Sequence, residues 1–445
     1  MNTTLLGFRC LTCGHTYTPA EVVYTCPTDG GNLDAVYDYA RIVREVDPRT
    51  IATSPDRSIW HYAPLLPTTP PSPLSTLPSP LSSLGWSPLY RAPILEKDLN
   101  VRAIWLKDDS RLPSSSFKDR ASAMVIARAL EMGVETICVA STGNAAAALS
   151  TLCACAGTNL RAVIFVPDST PEGKLAGILI HGATVFMVRG SYTDAVAMAD
   201  AACRKFGWYN RSTGVNPFTR EGKKTAGFEI AEQLATARHG DKETRRYGER
   251  IDSVSKSPGQ LVSVSGFRSP DVVIVPVGDG NILSGVHKGF YNLHQLGWID
   301  KLPRFIGVTA TLAPSLFHAW RDGVETFANV PSTTIASGIS VDIPCDGVAA
   351  LRAIRGTGGT IIEATDDEML DAMRVLAAKA GVFVEPACAA AHVGLWKARQ
   401  RGLIGADDEV VLQLTGSGLK DTKSALKAAG KPIIVESLVD VAIGK

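Results

Sequence analysis

Five unbroken apolar runs punctuate the chain from residue 136 onward: Thr136-Ile137-Cys138-Val139-Ala140, Ala162-Val163-Ile164-Phe165-Val166, Thr184-Val185-Phe186-Met187-Val188, Val272-Val273-Ile274-Val275 and Val410-Val411-Leu412-Gln413-Leu414. A strand with one wet face alternates polar and apolar residues, so a continuous run reads as a strand buried on both faces, as in a parallel sheet. Helical stretches lie between such runs. Lys118 to Met132 sets Ala121, Met124, Ala127 and Leu130 at helical spacing and ends at Gly133, a suitable C-cap. The expectation is an α/β body with parallel sheet and right-handed crossovers.

At 445 residues the chain exceeds one compact unit of ~100–200 residues, so two or three domains are expected. With 45% hydrophobic and 20% charged residues and a net charge of +1, nothing pulls on nucleic acid or an anionic membrane. The amino terminus has no charged region followed by a long apolar one, and no apolar stretch approaches ~18 residues, so a cytoplasmic protein is expected. Nine cysteines is an odd number, and Cys138, Cys153, Cys155, Cys203 and Cys388 lie in apolar surroundings, which argues against a disulfide framework.

Residues 1–55 form a first module. Cys10 and Cys13, then Cys26 with Asp29, are spaced like the knuckles of a zinc ribbon whose fourth cysteine is replaced by a carboxylate. Zinc accepts a carboxylate oxygen; the alternative is a ribbon-shaped module that stands without metal on its turns and apolar residues. Either way the module reads as structural. Residues 56–91 include Pro67, Pro70, Pro71 and Pro73 and two further Ser-Pro pairs, and read as a semi-extended linker. Residues 92–445 form the main body, with a smaller α/β subdomain over roughly 120–220. His239 to Arg268, rich in charge, Ser and Gly, reads as a surface insertion.

The chemistry gathers at strand–helix junctions. Lys118, in Ser116-Phe117-Lys118-Asp119-Arg120, projects from the start of a helix. A lysine forms a Schiff base only as the free amine, a form that burial favours. Ser141-Thr142-Gly143-Asn144 follows a strand and opens an alanine-rich helix, so its amides and hydroxyls can bind a carboxylate. Gly278-Asp279-Gly280-Asn281-Ile282, after the strand at Val272, is a Gly-rich turn of the kind that cradles phosphate at the carboxyl edge of a sheet. Thr415-Gly416-Ser417-Gly418 follows the last strand.

Taken in this order, the lysine, Gly/Asn, Gly-loop and hydroxyl motifs resemble the fold-type-II pyridoxal-phosphate enzymes of the tryptophan synthase β superfamily, and among them the threonine synthase family. The resemblance runs from about Ser58 to the end and includes Asn216-Pro217, Glu221-Gly222-Lys223-Lys224-Thr225 and Glu385-Pro386-Ala387. It implies two open twisted α/β domains, a homodimer and a pyridoxal-phosphate lyase of small amino acids, here converting O-phospho-L-homoserine and water to threonine and phosphate. It implies Lys118 as the cofactor-bearing and proton-moving amine, Asn144 beside the ring and residues 278–282 around the phosphate. Thr415, or Ser417 as second choice, would lie at the ring nitrogen. Ser116, Ser141, Thr142, Asn216 and Arg220 would serve the substrate.

Three departures stand out: Ser115 where the family commonly has glycine, Ala145 where it often has threonine, and Asp279 where its phosphate loop has asparagine. A carboxylate beside a phosphate dianion costs ~4 kcal/mol per charge pair at ~4 Å and an effective dielectric of ~20. Asp279 is therefore expected to face an amine or a backbone donor behind the loop. Open alternatives are a cysteate-synthase-like enzyme acting on O-phosphoserine, a threonine or serine dehydratase, and a non-catalytic binding homologue.

Overall fold

The computed structural model describes residues 1–70, 79–248, 265–430 and 432. Among the described residues thirteen strands form three sheets. The first is small and antiparallel, β1 (Leu5–Cys10) lying between β2 (Thr16–Tyr17) and β3 (Leu33–Tyr37).

The largest sheet has six strands: β4 (Leu89–Arg91), β5 (Ala103–Asp108), β10 (Val272–Pro276), β11 (Arg304–Ala310), β12 (Thr360–Ala364) and β13 (Glu409–Leu414). Their order is β12-β11-β10-β13-β5-β4, parallel except for the edge strand β4. A smaller parallel sheet, ordered β8-β7-β6-β9, comes from β6 (Thr136–Ala140), β7 (Arg161–Pro167), β8 (Thr184–Val188) and β9 (Tyr209–Asn210).

The unbroken apolar runs work as two-faced strands. Val272 and Ile274 pack with Leu376 and Leu395 on one face of the large sheet, while Val273 and Val275 pack with Leu283 and Phe290 on the other. Side chains alternate along a strand, so both layers need apolar residues at every position. The helix Lys118–Glu131 leaves β5 and leads into β6, joining the sheets, and ten of its residues are buried. It can lie against the helix Phe218–Lys223 because Gly222 carries no side chain: a Cβ there would come within 2.0 Å of the Arg120 carbonyl oxygen.

Three expectations change. β8 is not buried on both faces. It is an edge strand, paired only with β7, and leaves Phe186 and Met187 about half exposed. The stretch 56–91 is not simply a linker, because Ile59–Leu65 folds as a 3₁₀ helix with Ile59, Trp60, Tyr62 and Leu65 buried, as are Leu66, Leu81 and Leu84. Trp60 Nε1 donates to the Leu81 carbonyl at 3.0 Å and Tyr62 Oη to Glu232 at 2.7 Å, so large apolar side chains with satisfied polar tips anchor a proline-bearing segment. Residues 71–78 lie outside the described residues.

Of the stretch His239 to Arg268, the first part extends the helix Thr225–Gly248, and residues 249–264 lie outside the described residues. Its end returns to the core, with Phe267 stacked on Trp298 and Arg268 paired with Glu409. The helix Lys118–Glu131 ends as expected, at Met132 followed by Gly133 with φ +68°. Among the described residues no helix is long and apolar enough to cross a membrane.

The amino-terminal sheet is packed on the body. Tyr37 Oη donates to Glu221 at 2.6 Å, Phe8 meets Phe218 edge-on, and Asp34 pairs with Arg220 and Lys288.

Candidate active site

Three of the turns singled out in the sequence follow the carboxyl ends of β6, β10 and β13, and the turn that bears Lys118 is fastened to the last of them. Phe117 N–H donates to the Thr415 carbonyl at 2.9 Å and Ser417 N–H to the Ser115 carbonyl at 3.1 Å, with an isolated bridge from Ser116 to Gly416. Ser115 takes φ +58°, the left-handed region where the family's glycine would cost nothing. Ser114 N–H donates to Asp119 Oδ2 at 2.7 Å, closing the turn on the first residues of the helix. Ser116 is fully buried, its Oγ 3.3 Å from that of Ser114.

The amine of Lys118 lies 3.5 Å from Asp279 Oδ2, with its side chain 15% exposed. Asp279 Oδ1 accepts the Asn281 N–H at 2.9 Å. The carboxylate thus faces an amine, as one of the two expectations had it, and an amide of the loop itself in place of a donor behind it. Burial opposes its ionisation, but the attraction of the Lys118 and Lys223 side chains and the Asn281 N–H outweigh that and hold it at about 2. Gly280, at φ +88°, brings the loop against the Asp346 carbonyl oxygen, which a Cβ would approach to 2.7 Å. The next residue begins the helix Asn281–Gln295, whose free amides favour an anion. A small cleft beside Lys118 is floored by Gly278, Asp279, Gly280 and Ile282.

Asn144 opens the helix Asn144–Ala154 and donates through Nδ2 to Glu385 Oε1 at 2.9 Å. Glu385 N–H donates to the Gly416 carbonyl at 3.1 Å, so this one residue ties the β6 turn to the β13 turn. Burial raises the Glu385 carboxyl, with Lys420 and the Asn144 amide opposing. Thr415 is buried, its N–H 3.1 Å from Cys388 Sγ. Ser141 Oγ accepts the Gly143 N–H at 3.2 Å, and Ser141 and Thr142 are half-buried at the mouth of the same turn.

Two expected substrate residues are committed elsewhere. Asn216 uses its amide to donate to the Asn210 carbonyl at 2.8 Å and to accept the Phe218 N–H at 3.0 Å, so it shapes its own turn. Arg220 is locked between Asp34, at 2.8 Å, and Asp346, and cannot reach outward without leaving the fully buried Asp346 carboxylate without its ion-pair partner. Asp346 was not foreseen; it also accepts from Asn281 Nδ2 at 2.8 Å, Ser284 Oγ at 2.6 Å and Asn32 Nδ2 at 3.1 Å. Glu385 announced itself only as the residue before Pro386-Ala387, and Asp346 carried no sequence signal.

In the amino-terminal sheet, ligand atoms of Cys10, Cys13, Cys26 and Asp29 all lie within 4.8 Å of one another. The Sγ atoms of Cys13 and Cys26 are 3.8 Å apart. The nine cysteines are all free.

Residues 81–242 and 260–416 match the family described as pyridoxal-phosphate dependent enzyme. Over 435 residues the chain is 34% identical to a threonine synthase of Methanocaldococcus jannaschii, spanning 97% of each chain. A threonine synthase of Methanosarcina acetivorans is 33% identical over 434 residues, 97% of this chain and 96% of that one. Among solved structures, the processed form of threonine deaminase isoform 2 from Solanum lycopersicum superposes with a TM-score of 0.61 at 21% identity, covering 81% of this chain and 87% of that one. At such identity the likeness bears on the fold alone.

Proposed function

The chain belongs to the pyridoxal-phosphate-dependent enzymes, among the threonine synthases, and on that premise we propose that it converts O-phospho-L-homoserine and water to L-threonine and phosphate. The observation that carries this reading is the breadth of the likeness, which runs through 97% of both chains, amino-terminal module included, and not through the catalytic body alone.

The residues fit the cofactor. An amine stands at the mouth of the cleft, a carboxylate oxygen already sits on a loop amide where phosphate oxygens would bind, and the left-handed Gly280 keeps that loop free of side-chain bulk. Lys118 would hold the cofactor, the amides of residues 278–282 its phosphate, and the Thr415 hydroxyl its ring nitrogen, with Asn144 flanking the ring. When bound, pyridoxal phosphate supplies the electron sink that lets protons leave carbons next to the amine-bearing centre. Lys118 Nζ removes and returns those protons during γ-elimination and β-addition of water. Asn144, steadied by Glu385, keeps the two domains' turns in register around the reacting carbons. Ser116, Ser141 and Thr142 bind and orient the substrate, the last two offering hydroxyls and helix-end amides to its carboxylate.

We also read Cys10, Cys13, Cys26 and Asp29 as a structural zinc site. The 3.8 Å sulfur–sulfur distance supports this, being the edge of a tetrahedron with Zn–S bonds of about 2.3 Å. Three sulfurs and one carboxylate leave no open position, so the metal would hold the fold and take no part in catalysis.

The test incubates purified, cofactor-loaded protein with O-phospho-L-homoserine, O-phospho-L-serine, threonine or serine, and measures phosphate, threonine and 2-oxo acid. Phosphate and threonine in equal amounts from O-phospho-L-homoserine, abolished in Lys118→Ala, are expected. Phosphate from O-phospho-L-serine alone, or 2-oxo acid without threonine, would overturn the substrate assignment.

A further inference from the structure

Seven lysine and arginine side chains are buried among the described residues: Lys107, Arg120, Arg211, Arg220, Lys223, Lys224 and Lys288. Five are paired with carboxylates: Lys107 and Arg120 with Glu229, Arg220 with Asp34 and Asp346, and Lys224 and Lys288 with Glu221. Burying a cation without a partner is costly, so an exception asks for a reason. Arg211 and Lys223 are the exceptions, with no carboxylate in ion-pair contact among the described residues.

Both lie just behind the residues at the Lys118 cleft, Arg211 against the Lys118 carbonyl and Lys223 against Asn281. Lys223 Nζ donates to Asn281 Oδ1 at 2.5 Å, and its stem packs on the first turn of the helix Asn281–Gln295, where a Cβ at Gly285 would lie 2.6 Å from its own. A cation at a helix amino terminus opposes the helix dipole, which makes this placement doubly unfavourable without an anion. Arg211, just past β9, donates to Ser122 Oγ at 3.2 Å, Thr213 Oγ1 at 3.1 Å and the Lys118 carbonyl at 3.4 Å. These acceptors are all neutral, and a guanidinium has five N–H donors. Asp279 is the carboxylate both cations feel most strongly, and it is already engaged by Lys118. Lys118, Arg211 and, once an anion restores its proton, Lys223 face that one carboxylate, which leaves two positive charges in excess, the complement of a phosphate monoester dianion.

We propose that Lys223 and Arg211 are the cationic walls of a phosphate-monoester seat whose floor is the amide loop Gly278–Ile282. This rests on reading that loop as a phosphate loop and adds what the loop lacks, since amides and Asp279 alone provide no charge to match a dianion. The monoester is either the cofactor's own phosphate or the one the substrate carries and releases. Lys223, bonded to the loop, stands with the first; Arg211, on the smaller sheet, stands with the second. Burial, reinforced by Lys118, lowers the Lys223 amine well below its ordinary range. An entering dianion would restore its proton.

The experiment uses the full-length enzyme stripped of and then titrated with pyridoxal phosphate or its dephosphorylated analogue pyridoxal, and the loaded enzyme inhibited by inorganic phosphate. Wild type, Lys223→Met and Arg211→Met are compared, with Lys223→Arg and Arg211→Lys as charge-keeping controls. Loss of a charged hydrogen bond is expected to weaken phosphate-dependent binding by about 10- to 100-fold. In the cofactor arm, Lys223→Met loses preference for pyridoxal phosphate over pyridoxal while pyridoxal itself binds as before, and arginine restores the preference. In the released-phosphate arm, Arg211→Met raises the phosphate inhibition constant and lysine restores it.

A change in either arm that the charge-keeping variant rescues supports the seat and names the source. Both constants unchanged within about twofold in folded methionine variants would overturn it. Should the methionine variants not fold, the ³¹P resonance of bound cofactor in wild type decides: a signal that stays dianionic through mildly acid pH supports the seat, and one that titrates like free phosphate ester refutes it. A chain that shows the seat yet leaves O-phospho-L-homoserine untouched would sink the substrate and keep the seat.

Discussion

Asp119 gives the sharpest handle on the turn that holds Lys118. It is fully buried; Oδ2 accepts the Ser114 N–H at 2.7 Å, while Oδ1 has no partner among the described residues. Burial pushes its carboxyl up to about 7, with the Ser114 bond pulling the other way. The native protein therefore binds a proton there that the unfolded chain, at 3.8, has already released. The stabilisation is complete below the unfolded value and is lost as pH rises through about 7. At ~1.4 kcal/mol per pH unit the whole effect is about 4 kcal/mol, of which about 2.7 kcal/mol remains at about pH 5 and almost none at about pH 8. Asp119→Asn keeps the acceptor for Ser114 but cannot titrate. The difference in unfolding free energy between wild type and variant, from urea titrations at matched pH, is expected to change by about 2.5 kcal/mol between about pH 5 and about pH 8, wild type gaining on the acid side. Taking the difference cancels every other titrating group. A difference that stays flat to within ~0.5 kcal/mol would mean that water or movement relieves the burial, and the reasoning would fail.

Ser115→Gly removes a left-handed serine that costs roughly 1–2 kcal/mol, against about 0.4–1 kcal/mol of added unfolded-state freedom, so thermal stability stays level or rises, whereas Ser115→Val lowers it. Gly280→Ala sets a Cβ 2.7 Å from the Asp346 carbonyl at a left-handed position; the loop must shift, and the variant should lose cofactor absorbance on dialysis while wild type keeps it. Cys13→Ser should abolish a metal content of about one zinc per chain, measured by elemental analysis, and lower the melting temperature. Wild-type protein that takes up no zinc would refute that site.

The turns that meet at the candidate site were legible because their neighbours are local: a lysine before a helix, a Gly/Asn turn after β6, a Gly loop after β10 and a hydroxyl turn after β13 each announce themselves within a few positions. Elements whose logic is tertiary stayed hidden. β5 lies inside the large sheet between β13 and the edge strand β4, yet its Lys107 and Asp108 break the apolar run, and only the bond from Lys107 to Glu229, 122 residues on, makes that lysine a core residue. The proline-bearing stretch read as a linker because spacing cannot reveal that Trp60 and Tyr62 have partners waiting at Leu81 and Glu232. The same limit decided between arginines. Arg220 stands in the motif that suggested anion binding, while Arg211 stands in no motif, and the sequence offers equal charges at both. Asp34 and Asp346 consume the first charge, and none of the described carboxylates makes an ion pair with the second. What makes a buried cation available to a ligand is therefore the absence of a long-range partner, a property belonging to the pairing of the whole fold and to no local run of residues.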